Sequence, residues 1–409
     1  MSNMIERKPY IDTLRTLKDE HLIKVVTGLR RSGKSTLLEM FADEIRPTVK
    51  PERIQFFNFE EPDIVAIGDW KQIYDYIKIR LVEKEMNYLF LDEVQNIDGF
   101  ERLVDGLYIK KNVDLYVTGS NAKLLSGELA TLLTGRYIEI SILPFSYREC
   151  RAAMANSPNL TKEDTLANFL YNGAIPQAVM LGQKDQEQAD EFVKGVLNTI
   201  IEKDIFIRHS INNKAAFYKV LDFVLDSIGS TISPRAIADT LRANDIVVDK
   251  QTVGNYLQYL TEAFVLYKAG RYDVKGRKLL QTLDKYYVAD PGFRKVRLGK
   301  GVSADRGHIL ENMVYLELLR RNRYVYIGKA RDKEVDFVVM DKQGYMSYYQ
   351  VAYSVLDDKT LERELAPLRA ISDSNAKYLL SADWDIDPVY NGIRKLNVMD
   401  WFLSEAATR

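Results

Sequence analysis

Gly28-Leu29-Arg30-Arg31-Ser32-Gly33-Lys34-Ser35 follows directly on the run Ile23-Lys24-Val25-Val26-Thr27 and leads into Thr36-Leu37-Leu38-Glu39-Met40-Phe41. The β-branched run reads as a short buried strand. The stretch after the loop reads as a helix with Leu37, Leu38, Phe41 and Ile45 on one side. A glycine-rich turn between a strand and a helix is the setting that a phosphate-binding loop requires. Gly28 and Gly33 let the backbone curl until its N–H groups face phosphate oxygens. The helix N-terminus adds a partial positive charge. Lys34 brings a mobile point charge for the β- and γ-phosphates, and the Ser35 hydroxyl is a hard oxygen ligand for magnesium. The loop from Gly28 to Thr36, with Leu29, Arg30, Arg31 and Ser32 between the glycines, is therefore expected to hold ATP with Mg2+. No base-reading motif is evident, so GTP stays open.

Outward from the loop, Asn87-Tyr88-Leu89-Phe90-Leu91-Asp92-Glu93 is an apolar strand ending in two carboxylates. Asp92 is expected to hold magnesium through its water shell, and Glu93 to orient and polarise the attacking water. An acid pair at a strand end also serves as a helix cap. A third strand, Val113-Asp114-Leu115-Tyr116-Val117-Thr118, ends in Gly119-Ser120-Asn121. Ser120 or Asn121 could reach the γ-phosphate or the water, or simply cap the next helix. After that helix come Leu133-Thr134-Gly135-Arg136 and the strand Tyr137-Ile138-Glu139-Ile140.

Phosphate loop, Asp-Glu strand end, polar strand end and pre-strand arginine stand in the order that resembles the AAA-type ATPases. The resemblance implies an α/β P-loop fold with five parallel strands and helices on both faces. It also implies that Arg136 occupies the arginine-finger position, reaching the γ-phosphate of a neighbouring copy in a homo-oligomer. Such fingers are worth about 10³–10⁵ in rate in phosphoryl-transfer enzymes. A salt-bridged surface arginine is the alternative.

Bulk composition narrows the rest. A chain of 409 residues has room for two to four domains. Its 57 Lys and Arg nearly cancel its 58 Asp and Glu, so a nucleic-acid partner must be served by a local patch. The one cysteine, Cys150, excludes an intrachain disulfide or a cysteine metal cluster. His21, His209 and His308 are too scattered to suggest a metal site. The start, MSNMIERKPY, lacks the apolar core of a signal peptide, and no run reaches the roughly 18 apolar residues of a membrane span. A cytoplasmic protein without a membrane partner is expected.

Four parts are expected: an ATPase domain over 1–145, a helical lid or linker over 146–230, a winged helix over 231–300 and a small α/β domain over 301–409. In the second part the Gly173-Ala174-Ile175-Pro176 turn ends one helix and bends the chain. In the third, Ser233-Pro234 starts a helix, and a second helix begins near Lys250 with Val253, Leu257, Leu260 and Phe264 on one stripe. Strand-like runs at 264–267 and 279–283 flank a basic hairpin from Arg271 to Lys278. Helix, turn, helix and basic hairpin form the pattern of a winged helix. The stretch 268–300 holds ten Lys or Arg against three Asp, an electrostatic footprint for phosphate backbones. Thr252, Asn255, Gln258 and Tyr259 could read base edges from the second helix. Winged helices also serve as protein-packing modules.

The last part reads as a helix over 308–321, strands over 324–328, 334–340 and 347–353, a helix over 361–371 and a strand over 377–380. This order resembles the restriction-endonuclease-like nucleases. By that likeness Glu311 and Asp336 match two acidic positions, but Gln350 stands where a third acid belongs and Ala352 where a lysine belongs. Metal-assisted cleavage then lacks a ligand and its water activation. As a whole the chain is similar to bacterial and archaeal AAA-family ATPases carrying a C-terminal domain of unknown function, built from a winged helix and a degenerate nuclease-like fold. The expected function is an ATP-binding, ATP-hydrolysing enzyme that couples nucleotide state to DNA. The alternatives are a slow switch binding a protein partner and an ATP-dependent nuclease.

Overall fold

The computed structural model describes residues 4–122, 133, 135–157, 159–300, 305–322, 324–384 and 388–404, the side chains of 281–283 excepted. The expected helix before Leu133, and Thr134 with it, lie outside the described residues. The chain divides into two units, one of residues 1–144 with 262–264, the other of 145–261 with 265–409.

The first unit is built on five parallel strands: β1 (Ile23–Gly28), β2 (Ile54–Asn58), β3 (Asn87–Asp92), β4 (Val113–Gly119) and β5 (Tyr137–Ile142). Their order across the sheet is β2-β3-β4-β1-β5. Side chains alternate between the faces of a strand, and here each face meets its own helices. Val25, Leu89, Leu91, Leu115 and Val117 face Ile73, Ile77, Leu103, Val104 and Leu107 of the helices Trp70–Lys78 and Phe100–Tyr108. Val26, Tyr88, Phe90 and Tyr116 face Ile11 and Leu14 of the helix Lys8–Leu17 and Leu37, Leu38 and Phe41 of the helix Lys34–Ile45. Each fully buried side chain of this size contributes about 1.5–3 kcal/mol, so the two apolar rows fix both layers of helices. The expected α/β sheet with helices on both faces is what forms. Strand β2 and the helix Trp70–Lys78 carry no motif and complete it.

The register sets up the crevice. Thr27 lies beside Gly119, and Leu91 beside Val117. The ends of β1, β3 and β4 therefore share the carboxyl edge of the sheet, where open α/β sheets bind ligands.

The second unit begins with helices, among them Tyr147–Ala153, Lys162–Tyr171, Gln186–Thr199 and Lys214–Asp226. Then come β6 (Thr231–Ile232), the helices Pro234–Arg242 and Lys250–Glu262, and the hairpin β7 (Leu266–Asp273) and β8 (Lys278–Val288). The helix Arg306–Arg321 precedes β9 (Tyr324–Ala330), β10 (Lys333–Met340) and β11 (Met346–Ala352). The helix Asp358–Arg369 leads to β12 (Ala376–Ser381), β13 (Val389–Tyr390) and β14 (Ile393–Asn397). All nine strands form one sheet in the order β13-β14-β12-β11-β10-β9-β7-β8-β6. The parts expected over 231–300 and 301–409 thus share a sheet, joined where β7 pairs in parallel with β9.

The hairpin differs from its expected outline. Phe264 takes a left-handed backbone (φ 56°), which no strand accommodates, so β7 starts at Leu266. Arg271, Tyr272 and Asp273, expected between the strands, are paired with both β8 and β9. The turn proper is shorter, closed by the Asp273 carboxylate accepting from the N–H groups of Lys275 and Gly276. Among the described residues no helix is long and apolar enough to cross a membrane.

Candidate nucleotide site

The loop between β1 and the helix Lys34–Ile45 takes its shape from its glycines. Gly28 has φ 144°, and a Cβ there would lie 2.2 Å from the Ile142 carbonyl oxygen of β5. Gly33 has φ 94° and opens the helix. Arg31 also adopts a left-handed conformation (φ 65°), a strain that tight turns at functional sites often hold. Leu29 is buried, while the Thr36 side chain is exposed on the first helical turn. The Ser32 hydroxyl is buried and, among the described residues, has no hydrogen-bond partner. A buried donor without an acceptor costs about 1–3 kcal/mol, and a phosphate oxygen in the loop would satisfy it.

The loop brings its cation and its hydroxyl to the end of β3. The Ser35 hydroxyl donates to the Asp92 carboxylate at 2.7 Å, and the Thr118 hydroxyl at the end of β4 donates to the other Asp92 oxygen. Burial pushes the Asp92 carboxyl up, against the hydrogen bonds from Thr118 and Ser35, and the charge of Glu93 adds to the rise. A carboxylate in that position gains from a nearby cation. Two hard oxygen donors facing each other at 2.7 Å fit the ligand class of Mg2+.

Lys34 is buried, and its ammonium donates to the Gly28 and Leu29 carbonyls, both at 3.3 Å. It also stands 3.4 Å from Glu93. Glu93 has a left-handed backbone (φ 53°) whose N–H donates to Thr118 Oγ1 at 2.9 Å. Its carboxylate accepts from the side-chain amide of Gln95, which also reaches Ser120 Oγ at 3.4 Å. Burial alone would raise the Glu93 carboxyl, but Lys34, Gln95, Arg30 and Ser120 together hold it below the usual range. It is therefore ionised at neutral pH, the form that accepts a proton from water. Arg30 is anchored on the other side by Glu60 at 3.0 Å.

The sequence motifs thus converge: residues 28–36, Asp92, Glu93 and Ser120 share one edge. Ser120 and Asn121 are both buried, and the Gln95 amide links Glu93 to Ser120. Arg136 lies just ahead of β5 with a side chain 43% exposed, paired with Asp105 of its own chain at 2.6 Å and lying over the Tyr108 ring. Three partners were not singled out from the sequence: Gln95, Thr118 and Glu60. Thr118 carried a signal, being a polar residue on the strand beside Asp92. Glu60 carried none, because it meets Arg30 from a distant part of the chain, while Gln95 lies two residues past Glu93 in the same motif.

A second cluster of charges lies within the second unit, around a cavity of about 540 Å³. Glu311, Asp336, Gln350 and Glu364 line it together with Lys285 of β8. The Lys285 ammonium contacts Glu311 at 3.0 Å and Glu334 at 2.8 Å, and the Tyr287 hydroxyl donates to the same Glu311 oxygen at 2.7 Å. Asp336 accepts from the Val351 N–H at 2.8 Å, and the Gln350 amide donates to Glu364 at 2.9 Å. Burial and the neighbouring Glu311 push the Asp336 carboxyl well up. Burial would raise Glu311 too, but Lys285 holds it down. Among the described residues no three His, Cys, Asp or Glu are placed to hold a metal ion. This donor set does not fit a magnesium ion, because the buried Lys285 ammonium already balances its carboxylates.

The basic stretch over 268–300 also reads differently in three dimensions. Lys268, Arg271, Lys285, Arg294, Lys295, Arg297 and Lys300, seven of its ten cations, are paired with carboxylates of the same unit. The other three, Lys275, Arg277 and Lys278, are exposed at the hairpin turn. On the helix Lys250–Glu262, Tyr259 stacks on His209 with ring centroids 3.6 Å apart, and Thr252 donates its N–H and hydroxyl to the Asp249 carboxylate that caps the helix.

Residues 20–151 match the family model of an AAA domain, which spans the whole five-stranded sheet and its crevice. Residues 163–303 match the model of a domain of unknown function. A Haemophilus influenzae protein described as uncharacterized is 34% identical over 407 residues, covering 98% of this chain and 99% of its own length. An uncharacterized protein of Methanocaldococcus jannaschii is 30% identical over 366 residues, covering 86% of this chain and 79% of its own. Among solved structures, the Walker-type ATPase of Pyrococcus abyssi superposes with a TM-score of 0.51 at 16% identity, covering 72% of this chain and 96% of that one. At that identity the likeness is one of fold. The chain belongs to one family with the Haemophilus protein along nearly its full length, and its residues 20–151 form an AAA domain.

Proposed function

We propose that the chain binds ATP with Mg2+, hydrolyses it with Glu93 as the water-activating base, and uses its nucleotide state to control how the second unit engages DNA. The observation that carries the catalytic half is the meeting of Ser35 with Asp92 and of Lys34 with Glu93 on one sheet edge. Ser35 and Asp92 would hold the metal, which supplies charge neutralisation on the phosphates when bound. Lys34 exchanges its contact with Glu93 for a phosphate oxygen. Glu93, kept in place by Gln95, is then free to accept a proton from water. Ser120 steadies Gln95, and Asn121 is the neighbouring candidate for contact with the γ-phosphate. Arg136 is the candidate for acting on a neighbouring copy, once it leaves Asp105.

The DNA half rests on element order. The helix Lys214–Asp226, β6, the helices Pro234–Arg242 and Lys250–Glu262, and the hairpin β7–β8 follow one another as in a winged helix. The exposed hairpin turn supplies three cations, so binding would lose affinity with a log–log salt slope near −3 rather than the roughly −9 that ten phosphate contacts would give. The internal pairing of the other seven favours a second reading, a switch whose second unit docks a protein partner. Nuclease activity is disfavoured by Lys285, Gln350 and Ala352.

The test is the ATPase rate of wild type and Glu93→Gln, each with and without duplex DNA. Turnover in the wild type, lost in Glu93→Gln and raised by DNA at low salt, is expected. Equal rates in the two proteins would remove Glu93 from its role. No effect of DNA at low ionic strength, with a stoichiometric protein that copurifies and is lost on Lys34→Ala, would move the reading to the protein partner.

A further inference from the structure

Just ahead of the helix Lys8–Leu17 stands an arginine that the nucleotide reading leaves unused. Arg7 is 3% exposed. Its guanidinium donates to the Ser32 carbonyl at 2.9 Å, the Leu143 carbonyl at 2.8 Å and the Pro144 carbonyl at 3.4 Å. It also lies 4.8 Å over the ring of Tyr10, whose hydroxyl accepts from the Leu143 N–H at 3.3 Å. Burying a guanidinium is costly unless hydrogen bonds compensate. Here the acceptors come from two places far apart in sequence: the phosphate loop, and the last two residues of the first unit before the chain enters the second.

Peptide geometry gives the first contact its meaning. In a planar trans peptide the carbonyl oxygen and the following N–H point in opposite directions. Arg7 fixes the Ser32 carbonyl on its own side, and so fixes the Gly33 N–H toward the opposite side. A charge-assisted bond to the oxygen also polarises the peptide and strengthens the N–H as a donor. The anchor matters because Gly33 presents little steric resistance to a flip of that peptide. The second pair of contacts gives the anchor a second end. A loop that tightens on phosphate pulls on the same planar guanidinium that holds Leu143 and Pro144. A lysine offers a point charge rather than a planar fork and cannot hold both ends in this way.

We propose that Arg7 is a positioning residue with two tasks: it orients the Ser32–Gly33 peptide for phosphate binding, and it carries nucleotide occupancy from the loop to the chain exit at Leu143–Pro144. This rests on the nucleotide reading above.

The experiment compares full-length wild type, Arg7→Lys, Arg7→Ala and, as reference, Lys34→Ala. Three quantities are measured: the Kd for ATP with Mg2+, the Tm without nucleotide, and hydrogen exchange of the peptide spanning 137–150 with and without nucleotide. In the wild type, nucleotide is expected to slow exchange in that peptide. Arg7→Lys is expected to keep a near-wild-type Tm, to bind ATP about tenfold more weakly, a loss of ~1.4 kcal/mol, and to lose the exchange response. If Arg7→Ala fails to fold, Arg7→Lys carries the test alone. Wild-type affinity in a folded Arg7→Lys protein overturns the first task. An exchange response that survives the substitution overturns the second. A fall in affinity that only parallels a fall in Tm assigns Arg7 to folding and overturns both. Failure of the wild type to bind ATP, or wild-type binding by Lys34→Ala, would instead sink the nucleotide reading itself.

Discussion

Lys34 and Lys285 are both buried and both face carboxylates, and their surroundings assign them opposite fates. Lys34 sits on a glycine loop, 3.4 Å from Glu93, with two loop carbonyls at 3.3 Å as its other acceptors. Lys285 sits in the middle of a strand, clamped between Glu311 at 3.0 Å and Glu334 at 2.8 Å. The first contact is long, single and next to an unsatisfied Ser32 hydroxyl, so an incoming anion can replace it. The second balances several carboxylates at once, and removing it would leave them buried without a counter-charge. The same residue types thus make a candidate ligand site in one unit and an internal ion cluster in the other. What separates them is how firmly the backbone holds the cation and how many partners it satisfies.

The largest expected effect tests the first half of that contrast. Lys34→Ala should abolish ATP binding, measured by titration. Glu93→Gln should keep binding and lower turnover by about 10²–10⁴, the usual worth of a general base. Wild-type turnover in Glu93→Gln would break the comparison, because the Lys34–Glu93 contact would then be structural like that of Lys285.

The next effect tests the second half. Lys285→Ala should destabilise the second unit by about 3–5 kcal/mol, as removal of one partner from a buried ion pair does, read from denaturant unfolding. It should also create an affinity for Mn2+ that the wild type lacks, read as a rise in Tm on adding the metal. Binding of Mn2+ by the wild type, lost in Asp336→Asn, would show that the cluster is a metal site after all.

A smaller effect concerns a lone buried acid. Asp290 caps the helix Pro291–Leu298 and accepts from the N–H groups of Ala174 and Gly292, at 2.6 and 2.7 Å. Burial pushes its carboxyl up to about 6 from an ordinary 3.8. The folded state therefore binds the proton more tightly than the unfolded one. The associated stability is present below about pH 4 and is lost as pH rises through about 6, by roughly 3 kcal/mol at 1.36 kcal/mol per pKa unit. The stability of wild type relative to Asp290→Asn should fall across that window, and a flat difference would show that the carboxyl is not perturbed.

The smallest expected change in stability is at Arg136. Its pair with Asp105 is half exposed, so Arg136→Ala should cost about 0–1 kcal/mol. If Arg136 acts on a neighbouring copy, the same substitution should lower turnover, and the wild-type rate per chain should rise with protein concentration. A rate independent of both would leave it a surface ion pair.

Much of this was legible in the chain itself. The phosphate loop, the strands that feed it and the Asp92-Glu93 pair are local patterns, because a strand, a tight glycine turn and a helix start each depend on neighbouring residues. The resemblance those motifs carry to the AAA-type ATPases implied a sheet covered on both faces. Other features depend on residues distant in sequence. Arg7 meets Ser32 and Leu143 only because β1 and β5 are neighbours. Gln95 gains its role only where the ends of β3 and β4 converge. The stretch 268–300 looked like a basic footprint in one dimension, yet seven of its ten cations are neutralised by carboxylates brought near by folding. The sequence by itself determined the glycine loop and the strand ends around it, because backbone curl and strand ends are local. Only the tertiary structure decided which charges are free to meet a ligand, because ion pairing depends on distances in space.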